Sequence, residues 1–511
     1  MIGNGMTKWW ALGAVSLSVL AVSLDGTVLS VALPTLARSL HASESDLEWF
    51  SAGYLLLLAA AVLPAGLIGD RYGRKITMLS SLAVFGIGSA LCALAPSPGW
   101  FLFARLLMGL AGAGITVMAL SALTVLFDEG ERPKAVGVFQ AANFLALPLG
   151  PILGGWMLSH FWWGWMFLLN VPVVILGLAV GGVLVPESRS AQRPGMDPIG
   201  TAASMIGLVA VTYGLVKAGE AGWSDVAAIG WMIAGVVLLA GFFWWERAVA
   251  RRGGAPLIPP VLFRSKAFAS GAALGGLAGL GMIGLLFTMP QYFQAVHGLD
   301  ALGSGLRLLP LVAGLLIGAL PAARLTRVIG SKLTVALGFT LLAAGAGLGA
   351  ATRTSSSTAF VAVWMAILCA GTGMALSAAT SAAITTLSVE RSGIGSAVVQ
   401  AFNKTGGPVG TAVMGSILAA GYRRHLDLSA VSPAAGAEAR KSVYGGMAVA
   451  QDLGSPSFGK SVQDAFVYGL DISMLAAAGI AVAGFVLTLL FLPGLRTYPD
   501  PDRPKEPAHV G

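Results

Sequence analysis

The chain has 511 residues, of which 56% are hydrophobic and 11% charged, with a net charge of +8 and 69 glycines. A soluble globular chain is about 25% charged, so there is too little polar surface here to coat a water-soluble body of this length. That excludes a cytosolic enzyme, a secreted disulfide-stapled domain and a disordered chain, whereas the glycine excess suits closely packed membrane helices.

A helix needs about 20 apolar residues to cross a bilayer. Fourteen runs qualify, near 9–36, 48–69, 76–95, 99–126, 134–158, 164–185, 198–218, 225–245, 267–295, 301–323, 333–351, 358–387, 393–420 and 468–493. Aromatic pairs such as Trp9–Trp10, Trp49–Phe50, Trp100–Phe101 and Trp162–Trp163 mark several run ends, as interfacial belts do. The first run is long, carries Asp25 and lacks a clear cleavage site, so it is expected to be a retained span rather than a leader. Lys8, Arg71, Arg74, Lys75, Arg132, Lys134, Arg247, Arg251, Arg252 and Arg264 fall on one side, whereas the short loops of the other carry only Arg38 and Arg353. This bias places both termini in the cytoplasm.

Asp25 is the one carboxylate deep in a run, and a charge there needs a cavity or a partner. It lies about 22 Å along the helix from Trp10, at 1.5 Å per residue, hence in the outer half. Arg105 follows Trp100 by one turn and so reaches similar depth, which predicts an Asp25–Arg105 pair. Between the second and third runs stands Gly66-x-x-x-Asp70-Arg71-x-Gly73-Arg74-Lys75. Gly73 allows a sharp turn, Asp70 precedes a helix start, and the bases hold the loop inside. In the fifth run Gly150-Pro151-x-x-Gly154-Gly155 makes a small-residue, kinkable face.

An internal repeat follows. At an offset of 257, Pro321, Ala322, Gly330, Lys332 and Thr334 stand opposite Pro64, Ala65, Gly73, Lys75 and Thr77, and Gly407-Pro408 opposite Gly150-Pro151. Runs one to six then correspond to runs nine to fourteen, and runs seven and eight are an inserted pair. The expected fold is an all-α integral membrane protein of two six-helix bundles about a pseudo-twofold axis, with 14 transmembrane helices. Its divisions are 1–190, an inserted pair over 191–250, 251–495 with an outer loop at 421–467, and a cytoplasmic tail from 496. The repeat is asymmetric, since Asp25 meets Met282 and Asp70 meets Arg327. Proton chemistry is therefore expected in the first half.

In the thirteenth run Lys404 lies too deep to reach the interface easily. Gln140, Asn143, Phe144, Phe287, Gln291, Tyr292 and Asn403 are further candidates to line a substrate cavity, as polar contacts among soft apolar walls. Five scattered histidines and two cysteines form no HExxH, CxxC or P-loop pattern, so no cofactor, metal or nucleic acid is expected.

The Gly66–Lys75 stretch closely resembles the loop motif of the major facilitator superfamily. Leu24-Asp25-x-Thr27-Val28-x-x-Val31-Ala32-Leu33-Pro34 resembles the first-helix signature of its fourteen-spanner drug:proton antiporters, and Arg105-x-x-x-Gly109 their fourth-helix motif. Gly150-Pro151-x-x-Gly154-Gly155 is similar to the antiporter motif, and Pro256-Leu257-Ile258-Pro259 with Leu262-Phe263-Arg264 to the family's central loop. Ser30, Met108 and Ala146 depart from the usual Asn, Gln and Gly. The resemblance spans nearly the whole chain. It implies a monomeric exporter of drugs, antibiotics or biocides in a bacterial-type cytoplasmic membrane, working with protons by alternating access rather than as an enzyme. Asp25 and Arg105 would couple the proton, the loop would gate, and the fifth-helix face would prevent leakage. Family members that export dications carry an acid near Lys404, so a lysine there points to neutral, zwitterionic or anionic cargo. The rival reading is a proton symporter taking up a nutrient; a channel would show filter loops or charged rings, and an enzyme clustered catalytic side chains in its loops.

Overall fold

The computed structural model describes residues 5–42, 44–190, 197–252, 254, 256, 258, 260–299, 301–388, 391–429, 431–440 and 442–494. The tail expected from 496, and Leu257 and Pro259 of the central loop, lie outside them. All regular structure among the described residues is helical. In chain order the helices are α1 (Gly5–Leu40), α2 (Glu44–Tyr72), α3 (Arg74–Ala93), α4 (Pro98–Leu126), α5 (Arg132–His160), α6 (Trp165–Leu168), α7 (Asn170–Leu184), α8 (Pro198–Ala221) and α9 (Val226–Arg251). They continue with α10 (Lys266–Gln291), α11 (Ala301–Leu306), α12 (Leu309–Gly349), α13 (Thr358–Ile384), α14 (Ser392–His425), α15 (Pro433–Ala439), α16 (Val443–Asp452) and α17 (Pro456–Phe491).

Local sequence explains the starts. Asp197, Asp225, Ser265 and Ser357 accept from the third backbone N–H of the helix they open, supplying a partner for a group that the helix leaves orphaned. Pro98 and Pro198 follow their caps, where the missing N–H costs nothing.

Eleven segments among the described residues are long and apolar enough to cross a membrane. The expected count of fourteen is thus not reached by length and hydropathy. The runs at 134–158 and 393–420 lie in α5 and α14, which are not among the eleven, and those at 301–323 and 333–351 fall in one segment, Gly303–Gly349. That segment breaks at Gly330, where the backbone turns to φ 83°. Gly73 has φ 127°, at the repeat-related position between α2 and α3. An L side chain is strained in this region, so both turns need glycine. Each is followed by the same bond: Thr77 Oγ1 donates to the Gly73 carbonyl at 2.7 Å, and Thr334 Oγ1 to that of Gly330 at 2.9 Å. The repeat is therefore one of backbone geometry as well as of sequence.

Packing forms two apolar cores. One draws on α1 to α7; the other on α10, α12, α13, α14 and α17. The first also takes in Phe268, Ala383, Ile384, Ile394 and Ala397 from the second set, all near the end of the molecule that carries Arg71, Lys75 and Arg132. At this basic end the two sets are thus continuous. α8 packs on α2 and α14, straddling both sets, and α9 packs on α8. The outer face of α9 exposes Ile233, Val236, Val237 and Trp244, a surface suited to lipid. The segment 421–467, expected to be a loop with one short helix, holds α15, α16 and the first turns of α17.

Candidate functional site

Asp25 and Arg105 lie at similar depth on α1 and α4, and the guanidinium Nη1 donates to Asp25 Oδ2. Both side chains are 1% exposed. Arg105 Nε donates to the Phe50 carbonyl at 3.1 Å, and the guanidinium carbon sits 4.2 Å from the Tyr54 ring centroid. Tyr54 Oη in turn donates to the Val22 carbonyl at 3.0 Å. The arginine keeps a carbonyl and a ring face whether or not the carboxylate is charged, so Asp25 can change charge without leaving a bare guanidinium. Asn170 Nδ2, on the neighbouring α7, donates to Ser89 Oγ at 3.0 Å.

The residues flanking Asp25 tie α1 to α5. Ser23 Oγ donates to Asn143 Oδ1 at 2.9 Å, and Thr27 Oγ1 donates to the Ala146 carbonyl at 3.1 Å. A methyl at Gly150 would collide with Thr27 Oγ1, so this glycine sets the approach of the two helices. Gly154 faces Met166 and Val28, whereas Gly155 is exposed with nothing beside it. The Pro151 side chain lies outside the described residues.

The loop motif is a junction between the two sets of helices. Asp70, 2% exposed, accepts Arg74 Nε at 2.9 Å and Nη2 at 2.6 Å. It also accepts the first backbone N–H groups of α14, from Gly393 at 3.1 Å and Ile394 at 2.9 Å. A carboxylate at a helix N-terminus is held by unpaired N–H groups and the helix dipole together. Gly66 lets α2 approach α14, since a Cβ there would stand 2.7 Å from that of Ala397. Arg71 lies against the Tyr72 ring. The backbone N–H groups of Lys75 and Ile76 donate to Glu187, which caps α3 from the segment after α7. Three more bonds join the same end: Ser121 to Ser392 at 3.0 Å, Arg132 to the Thr385 carbonyl at 3.5 Å, and Gln400 to the Thr116 carbonyl at 3.5 Å.

The expected cavity residues separate. Lys404 is half-buried on α14 and has no hydrogen-bond or ion-pair partner among the described residues. Asn403 has a buried carbonyl oxygen without a donor, beside Gly275. Gln140 is buried on α5, and Gln291 is half-buried at the end of α10. Phe144 packs into the second core. Tyr292 lies in a π-helical turn, Tyr292–Val296, and its hydroxyl donates to the Arg353 carbonyl at 3.0 Å. The Phe287 side chain lies outside the described residues. Sequence reasoning missed Glu187, Asn170 and Gln400, because each acts through a contact across more than 80 residues that no local motif records.

Known proteins share this sequence and shape. The tetracenomycin C resistance and export protein of Streptomyces glaucescens is 31% identical over 80% of this chain and 76% of its own. The multidrug efflux pump LfrA of Mycolicibacterium smegmatis is 30% identical over 93% of this chain and 94% of its own. Among solved structures, the human organic anion transporter MFSD10 superposes with a TM-score of 0.63 at 14% identity, covering 94% of this chain and 99% of that one. The proton:xylose symporter XylE also gives 0.63 at 14% identity, over 96% and 97%. At such identity the likeness is one of fold. The sequence model of the Major Facilitator Superfamily matches residues 15–411, and the chain belongs to that superfamily of membrane transporters.

Proposed function

We propose that this chain is a proton-coupled antiporter that exports drugs, antibiotics or other organic compounds. It would cross a bacterial-type cytoplasmic membrane fourteen times, with both termini inside, and work as a monomer. Export is favoured by the names of its relatives, a resistance and export protein and an efflux pump. The fourteen crossings would form two six-helix bundles over 1–190 and 251–495, with α8 and α9 as the inserted pair.

The observation that carries proton coupling is the buried Asp25–Arg105 pair. Protonating Asp25 removes the charge that binds α1 to α4. Asp25 sits between Ser23 and Thr27, which bond α5, and α5 packs on α12 and α13 of the other half. A contiguous chain of contacts thus leads from the carboxylate to the interface between halves. The shielding matters as much as the pair. A carboxylate sealed at 1% exposure exchanges protons only when helices part, which links titration to conformation. Asp70 and its partners would latch the inner ends while the carrier faces outward. One proton supplies about 1.4 kcal/mol per pH unit and about 2.3 kcal/mol per 100 mV, enough for uphill export.

Inside-out vesicles with an acid interior test this. Adding a panel of cationic, neutral and anionic antibiotics should discharge the interior acid, and Asp25→Asn should abolish the response in protein that remains folded. Accumulation of drug inside the vesicles marks export; release of preloaded solute marks uptake and would reject the proposal. Discharge that survives Asp25→Asn would remove Asp25 from the coupling.

A further inference from the structure

We propose that Lys404 is the docking point for the acidic group of an organic anion, and that it bars organic cations from the transport path. The cargo class is an amphiphile with a carboxylate or acidic phenol on an apolar body. This rests on the transporter reading above and names its substrate.

The face of α14 that carries Lys404 is already defined by its contacts. Gly393 bonds Asp70, Ala397 meets Gly66, and Gln400 bonds the Thr116 carbonyl. Residues 393, 397, 400 and 404 follow the i, i+4, i+7, i+11 spacing of one helical stripe. Lys404 is therefore the next position on the stripe facing the other half, about 6 Å beyond Gln400 at 1.5 Å per residue. Among the described residues, the bond from Gln400 to the Thr116 carbonyl is the furthest along this stripe that joins the halves. Lys404 stands just past it, half-buried, where the seam between halves leads away from the basic end.

Among the described residues no acid is paired with it. α4, α5, α10, α12, α13 and α14 contain no Asp or Glu. Asp70 lies at the far end of the interface and is taken by Arg74 and the α14 N-terminus, while Asp25 is taken by Arg105. Stretches 59–65 and 108–115, outward of Gly66 and Thr116 on the facing helices, carry no charged residue. A lone ammonium at membrane depth is costly, and a substrate anion would supply the missing charge. The apolar faces around it would take the body of the molecule. A second feature adjoins it. Among the described residues, the Asn403 carbonyl oxygen and the Thr380 hydroxyl, both beside Gly275 of α10, and the Ser377 hydroxyl on α13 are buried without partners. A hydroxyl or amide N–H on the cargo would find acceptors there.

Binding to purified protein in nanodiscs tests the assignment, using three dansyl probes that differ in charge: dansylglycine, its methyl ester, and the ammonium of dansyl-ethylenediamine. The unmodified protein should bind dansylglycine at least about 10-fold tighter than the ester, the size of a charge-assisted contact. Lys404→Ala should erase that ratio, Lys404→Arg should keep it, and Lys404→Glu should favour the ammonium probe. Lys404→Arg also shows that the site folds when the charge is retained. An unchanged ratio in Lys404→Ala, a preference of the unmodified protein for the ammonium, or no binding of dansylglycine would overturn the proposal. Proton discharge in the vesicle assay is read separately. A charge ratio that depends on Lys404 without discharge would keep the anion site and reject the antiport.

Discussion

Asp70→Asn isolates the latch between the halves. The Asp70 carboxylate accepts two N–H groups from Gly393 and Ile394 across the interface, and two from Arg74 within its own half. On the proposed alternating access the Arg74 bonds would persist when the halves part, so their loss would affect both states and cancel in the ratio between them. The cross-interface bonds would exist only while the basic end is closed. A hydrogen bond to a charged acceptor contributes about 1.5–3 kcal/mol and a neutral one about 1. The two N–H groups meet different carboxylate oxygens and Asn keeps only one acceptor, so one bond is weakened and the other lost, about 3 kcal/mol together, a shift on the order of 100-fold toward the state with this end open. Spin labels at Tyr72→Cys and Arg391→Cys, both exposed at the basic end, would read the two populations by pulsed electron spin resonance. The native Cys92 and Cys369 are buried and should not label. A distance distribution for Asp70→Asn that superposes on that of Asp70 would refute the latch.

Three further outcomes follow from particular contacts. Gly150→Ala should push α5 off α1 at Thr27 and lower stability by about 1–3 kcal/mol, read as a lower unfolding midpoint; an unchanged midpoint would mean that the helices are not held at this distance. Glu187→Ala should uncap α3 at Lys75 and Ile76 and cost about 1 kcal/mol, seen as faster hydrogen exchange over 74–78 than over the middle of α3; equal exchange would deny the cap. Just beyond α10, burial and then the Arg307 charge lower the His297 imidazole from its ordinary 6.5, where it meets the Tyr292 hydroxyl at 3.0 Å. The folded chain then binds this proton less readily than the unfolded one, so the stabilisation is whole above pH 6.5 and fades as the pH falls below it. Unfolding midpoints at pH 7.5 and 5.5 should therefore differ less for His297→Gln than for the unmodified protein, and an identical difference would discount this residue.

Membrane residence and helical architecture were legible because they depend on composition and period alone. The repeat was legible too, since Gly73 and Gly330 occupy one backbone conformation that sequence spacing alone had aligned. The fourteen crossings are not confirmed by the eleven segments found among the described residues. Hydropathy separates the runs at 301–323 and 333–351, and the backbone does break between them at Gly330, whereas α17 extends back into 421–467. The contact between Asp25 and Arg105 could be anticipated from depth, because a charge in lipid needs a partner and few were available. The π-helical turn at Tyr292–Val296 was not legible, since hydropathy is blind to such turns.

The sequence by itself determined that this chain crosses a membrane as packed helices, where the turns fall and which ionisable groups lie at depth, since lipid leaves those groups few places to go. Only the tertiary structure decided which of them are satisfied. It ties Asp70 to the start of α14, more than 300 residues away, seals Asp25 against Arg105, and leaves Lys404 without an acid among the described residues. Pairing is a property of which helix faces meet, and that is set by the packing of all the helices at once rather than by any one segment.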